Sequence, residues 1–274
     1  MPVEEARAGL WRLEHKAARR PNGKYLNRME RRMAKEIHGL LMKQLEYVLR
    51  HAAALTVFKK GIRRVARKEL DTELADLTRN LPHAKALAQN MARYGALVML
   101  KGARSRIQKL KLGQFGISFD LSNRHAVDWL SGITNLHLST QNGSITRTTQ
   151  DGIIKVITQG AQEGLTYGEM SKRIQALGDA GLFSPARAEL IATRTIAEGY
   201  EFGNRQPVNE AKERGLRVQK LWQTVEDEKV TPECEANQEE GWLELDEGHA
   251  SGEQNPPRLG NPRCRCSEAY RVLD

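Results

Sequence analysis

The sequence predicts a mainly α fold: long N-terminal helices followed by a small α+β C-terminal domain. Three observations carry that expectation. Aromatic residues are 5% of the chain and charged residues 28%, a balance that suits amphipathic helices better than a β-sandwich. Apolar residues recur at three- and four-residue steps through most of the length. Beyond Gly215 that period gives way to short runs such as Leu216, Val218 and Leu221-Trp222, which read as strand.

Taken in order, residues 3–20 read as a helix with Leu10, Leu13 and Ala17 on one side, broken at Pro21-Asn22-Gly23. A long helix is expected from Asn27 to Leu55, because Met29, Met33, Ile37, Leu40, Leu41, Leu45 and Val48 share one face. Thr56 to Arg79 gives a third helical stretch, broken once. Pro82 suits the first turn of a fourth helix, which carries Leu87, Met91, Tyr94, Leu97 and Val98 and reaches Leu110. Gly113-Gln-Phe-Gly116 marks a boundary, Ile117 to Leu121 alternates as a short strand would, and Asn123 to Leu130 reads as a short helix. A helix over 144–163 follows.

Thr166-Tyr-Gly-Glu169 has the spacing of a capping box, in which hydroxyl and carboxylate satisfy each other's backbone amides. The helix it opens is expected to end at Leu177, with Gly178-Asp-Ala-Gly181 as a loop. Ser184-Pro185 opens the last long helix, Ser as cap and Pro in the first turn. That helix runs towards Gly215, with a kink expected at Pro207. Two strands, Leu216–Trp222 and Gly241–Leu245, complete the reading. The divisions suggest a basic helical domain over 1–112, a connecting mixed region over 113–164, and a C-terminal domain over 165–274 ending in a short β-rich tail.

The net charge of +9 is unevenly spread: residues 1–120 carry 26 Lys/Arg against 11 Asp/Glu, and residues 121–274 carry 17 against 23. Such asymmetry is a statement about partners. Lys59, Lys60, Arg63, Arg64, Arg67 and Lys68 form one basic stripe at helical spacing. Lys101, Arg104, Arg106, Lys109 and Lys111 form another. Both suit the phosphates of double-stranded DNA, without base reading, or an acidic protein surface. No apolar run approaches the roughly 18 residues of a membrane helix, and the first residues lack a signal-peptide core, so a soluble protein made in a cytosol is expected.

All three cysteines, Cys234, Cys264 and Cys266, fall in two short pieces of the last sixty residues. With His249 between them they have the donor set of a Cys₃His zinc site. A disulfide from Cys234 to one of the pair, or three reduced packed thiols, are the alternatives. His249 sits in a Gly- and Ser-rich loop that leaves it weakly positioned. Asp227, just past the first strand, is placed to pair with Arg263 or Arg265, whose guanidinium fork suits a carboxylate. No H-x-E pair, Ser/His/Asp set or phosphate loop is present, so no enzymatic activity is expected.

The order of these features resembles a known family. Arg187-Ala-Glu-Leu-Ile-Ala-Thr-Arg-Thr195, a strand ending in Trp222, Glu-Asp-Glu-Lys-Val-Thr-Pro-Glu-Cys234, Gly241 and Asn-Pro-Arg-Cys-Arg-Cys266 are similar to the C-terminal domain of the phage Mu F-like head morphogenesis family. Asn261 and Arg263 stand where that pattern has His and Asn. The resemblance implies a structural minor head protein of a tailed bacteriophage, found in the virion and assembled in the host cytoplasm. Its partners would be the portal protein, scaffold or major capsid protein, with a role in DNA packaging or ejection. It also implies that Arg187, Trp222, Asp227, Arg263 and Arg265 are structural motif residues. Two other readings compete: a nucleic-acid-binding protein with a zinc-stabilised tail, and a nuclease using the acidic tail.

Overall fold

The computed structural model describes residues 22–60, 67–79, 81–138, 144–227 and 230–273. The helices are α1 (Gly23–Ala52), α2 (Thr56–Lys60), α3 (Arg67–Arg79), α4 (Ala84–Lys109), α5 (Arg124–Leu138), α6 (Ile145–Gln162), α7 (Tyr167–Ala180) and α8 (Pro185–Glu213). Strand β1 (Arg217–Gln223), helix α9 (Pro232–Glu239), and strands β2 (Leu243–Glu244) and β3 (Ser267–Leu273) follow. The fold is mainly α with a small antiparallel sheet at the C-terminus, ordered β2-β1-β3. The helix expected over 3–20 lies outside the described residues.

The chain divides into two compact units, one of residues 1–30, 94–127 and 193–274, the other of residues 31–93 and 128–192. In the second unit, α1 buries Met33, Ile37, Leu41, Leu45 and Val48 along one face, as their spacing predicts. Glu73 caps α2 by accepting from the Thr56 amide at 2.9 Å. Gln150 on α6 donates to the Thr78 carbonyl of α3 at 3.1 Å. Thr166 and Glu169 form the expected capping box at the start of α7. Helix α7 continues through Gly178 to Ala180, where a loop was expected. Gly178 is a packing residue and not a breaker: a Cβ there would meet the Leu45 side chain at 3.0 Å.

In the other unit, glycines let α4 and α8 approach backbone to backbone. A Cβ on Gly203 would lie 2.0 Å from the Met99 carbonyl oxygen, and one on Gly102 would lie 2.4 Å from the Tyr200 oxygen. This crossing sets the depth at which Arg106, Glu201 and Asn204 face each other. Val208 and Ala211 of α8 then pack with Leu112, Ile117, Val218 and Tyr270 against the sheet.

Residues 117–121 form no strand, contrary to their alternation. Ile117 is buried, but its amide donates to Leu112 at 3.3 Å, and the Asp120 carboxylate accepts from the Ser122 amide at 2.7 Å. Local turns take these polar groups, so no ladder forms. Among the described residues, α9, which Thr231-Pro232 opens with proline at its first position, β3, and a short 3₁₀ turn over Leu112–Phe115 were not expected.

Candidate functional site

The sheet register builds the site. β1 and β3 run antiparallel with Lys220 opposite Tyr270, Trp222 opposite Glu268 and Val218 opposite Val272. Cross-strand partners share a face, and side chains alternate along a strand. Lys220, Trp222, Glu268 and Tyr270 therefore lie on one face of the sheet, and Cys264 and Cys266 continue the same two-residue step ahead of Glu268.

At one end of this face lies a thiol cluster. Cys234, Cys264 and Cys266 are buried with Trp222, and Val230 packs on them. Their sulfurs all lie within 4.8 Å of one another, and no disulfide joins them. Side-chain hydrogen bonds from Cys264 and Cys266 push the Cys234 thiol far below its ordinary pKa, and those to Cys234 push the other two up.

Several contacts bring the two sequence pieces together. Arg265 pairs with Asp227. Arg258 donates to Glu233 on α9 at 2.9 Å, and its carbonyl accepts from Arg194 of α8 at 2.7 Å. Arg263 is exposed, so of the two arginines flanking Cys264 it is Arg265 that meets Asp227.

His249 stands apart from the thiols. It is 3% exposed and far from weakly positioned. Its ring meets Trp222 edge-on at 4.9 Å, and its Nε2 lies 3.2 Å from a Glu268 oxygen. Its amide donates to Glu253 at 2.9 Å, and the adjoining loop is pinned where the Asn237 side chain accepts from the Ser251 amide at 2.9 Å. The Gly- and Ser-rich composition gives a tight turn closed on itself, and the histidine lies between two carboxylates, Glu268 at Nε2 and Glu240 at 3.5 Å from Nδ1.

The middle of the face is a buried ionisable network that the sequence did not disclose. Glu268 is 0% exposed. Its carboxylate accepts from the Tyr270 hydroxyl at 2.5 Å and lies 3.7 Å from Arg205 and 4.0 Å from Lys220. Its carbonyl accepts from Arg106 at 2.8 Å and from Asn204 at 3.1 Å. Glu201 is also buried; its carboxyl accepts from Asn204 and from the Glu268 amide. Burial, and then the charge of Glu268, push Glu201 up to about 8. Burial lowers the Lys220 ammonium and raises the Tyr270 phenol well above its usual range. A cavity of about 230 Å³ opens beside the network, lined by Arg205, Asn209, Lys220, Gln254, Asn255 and Glu268. The signal that would have found Glu268 and Tyr270 is the period of two itself: Cys264-x-Cys266-x-Glu268-x-Tyr270.

The remaining expected residues fall elsewhere. Arg187 donates to Thr149 at 3.0 Å and to the carbonyls of Leu182 and Ile145, tying the start of α8 to that of α6; burial lowers its pKa to about 10. Arg104 and Lys109 are exposed on α4, and Lys101 is half-buried over the Tyr25 ring. Arg106 leaves that basic stripe: it is turned inward to Asn204 and stacked on Tyr270. In the other stripe Lys68 is exposed. Arg63 and Arg64, and the side chains of Lys59, Lys60 and Arg67, lie outside the described residues.

A helix crossing onto a three-stranded sheet, closed by a Trp, an Asp–Arg pair and a Cys-x-Cys run, defines a compact α+β module. Residues 151–269 match the model of the family described as Phage Mu protein F like protein. The resemblance carried by Trp222, Asp227 and the Cys-Arg-Cys run therefore holds over that stretch, which takes in Glu201, Lys220, Glu268 and all three thiols. Comparisons with curated proteins and with solved structures gave no match.

Proposed function

We propose that the protein is a minor head protein of a tailed bacteriophage that docks at the portal vertex and acts in head assembly without enzymatic activity. The observation that carries this reading is the family match over 151–269. The charge distribution refines it. A basic N-terminal half is attracted to packaged DNA or an acidic portal rim, whereas the acid-rich C-terminal segment is repelled from DNA and is left to contact protein or hold the fold. Scaffold or major capsid protein are further partners on this reading, and the finished protein resides in the virion. No helix among the described residues is long and apolar enough to cross a membrane.

The test is co-expression of the full-length chain with the portal protein of the same phage, followed by affinity purification and by mass spectrometry of assembled heads. Co-purification, and a few copies per head, are expected. Absence from heads together with failure to bind the portal protein would refute the proposal. Because each compact unit draws on residues from several parts of the chain, the contacts are mapped by substitution of exposed side chains and not by truncation.

A further inference from the structure

We infer that Cys234, Cys264 and Cys266 form a tris-thiolate site for a soft divalent cation of the zinc class, which bridges α9 to the run entering β3. This goes beyond the head-protein reading and does not depend on it.

The geometry is that of a site already gathered. A zinc ion takes thiolates at about 2.3 Å, so tetrahedral ligands stand about 3.8 Å from one another. The three sulfurs already lie within 4.8 Å of each other. A disulfide needs a sulfur separation near 2.05 Å and uses only two, so it would strand the third thiol in the interior. The three groups also come from different places. Cys234 is the third residue of α9, and Cys264 and Cys266 stand on the run entering the opposite edge strand of the sheet. A metal here cross-links elements whose shared apolar contact is small: Trp222 is the one large side chain buried in the cluster, with Val230 beside it. Small α+β modules with little core gain folding free energy from such a link.

Neighbouring groups support three sulfurs on a cation and not a fourth protein ligand. His249, the fourth ligand of a Cys₃His set, is turned to Glu268. Among the described residues no other His, Cys, Asp or Glu joins the group, so the fourth corner takes water. On loading, the thiol protons leave to solvent as the sulfurs take the metal. The role is structural: a tris-thiolate cation holds the Cys-x-Cys run in place, and with it the start of β3 that carries Glu268.

The experiment uses the full-length protein, purified under reducing conditions from zinc-supplemented cells and without chelator. Plasma mass spectrometry should find one zinc per chain. After chelation, Co²⁺ should titrate in at one equivalent with a near-ultraviolet sulfur-to-cobalt charge-transfer band. The three thiols should resist DTNB until the metal is removed, and chelation should lower the unfolding midpoint by about 5 °C or more. Cys266→Ser should weaken Co²⁺ binding at least about tenfold, while His249→Gln keeps the band. The wild-type titration and thiol count decide the matter even where a serine variant fails to fold. A protein that takes up no Co²⁺ and shows three reduced thiols after denaturation would overturn the proposal, as would one showing a single thiol and a disulfide.

Discussion

Glu201 makes the stability of this protein depend on pH in a way that one substitution removes. Its carboxyl is wholly buried, and its pKa is raised from 4.5 to about 8, chiefly by desolvation and then by Glu268. A carboxyl whose pKa is raised on folding binds its proton more tightly in the native state. Its contribution is therefore complete below pH 4.5 and drains away as pH rises, until the native group itself ionises near pH 8. Between those limits the loss is about 1.4 kcal/mol per pH unit. From pH 5 to pH 8 it amounts to roughly 3 kcal/mol. Glu201→Gln keeps the shape and a neutral acceptor for the Asn204 amide but cannot ionise. The assay is urea unfolding of both proteins from pH 5 to pH 8, followed by tryptophan fluorescence, to which the fully buried Trp222 contributes, and by far-ultraviolet circular dichroism. The variant should gain on the wild type by roughly 3 kcal/mol across that interval, whatever their order at pH 5, because the titrating groups outside this network cancel in the difference. Two parallel pH profiles would refute the assignment of a raised pKa to Glu201.

The glycines of the α4–α8 crossing make a second prediction. Gly203→Ala places a Cβ against the Met99 carbonyl and should cost about 3 kcal/mol, whereas Gly39→Ala meets nothing within 4 Å and should gain up to about 1 kcal/mol through helix propensity; thermal unfolding of the two variants reads both signs. If the basic stripe contacts DNA, replacing Lys60, Arg63, Arg64 and Arg67 with Gln should flatten the salt dependence of duplex binding by roughly two to four units of log K against log salt. An unchanged slope assigns that stripe to solvent or to a protein partner.

What the sequence disclosed and what it hid follow from the range of the forces involved. The face of α1, the Thr166 capping box and the Ser184-Pro185 start of α8 were legible because each depends on residues close in sequence, whereas Leu97, expected on the apolar side of α4, is exposed. The Asp227–Arg265 pair and the gathering of the thiols were legible because both pieces belong to a motif with fixed spacing. Gly178 and Ile117 misled for the opposite reason. Whether a glycine breaks a helix or admits Leu45 is decided by a residue more than a hundred positions away, and whether an alternating pentapeptide is a strand depends on a neighbour that has to exist. Arg106 looked like one more cation on a basic helix. Only the arrival of Asn204 and the Glu268 carbonyl turns it inward.

The ionisable groups under the sheet are poorly explained as a source of stability. Removing Glu268, Lys220 and Arg106 from water is costly, and apolar side chains of the same volume would fold as well or better. Their arrangement is better suited to fixing the pairing of β3 on β1. Because the side-chain period of a strand is two, a slip of one residue would turn Glu268 and Tyr270 to the other face. Arg205, Lys220 and His249 would then lose the carboxylate they converge on, which costs about 1–3 kcal/mol for each charge-assisted contact broken, although Lys220 would keep the Gln254 carbonyl and His249 the Glu240 carboxylate. The same register bears on the thiols, since Cys264 and Cys266 lie just ahead of β3, which begins at Ser267. A correctly paired β3 therefore delivers both sulfurs to Cys234, and the network that fixes the register is what allows the Cys-x-Cys run to close the domain.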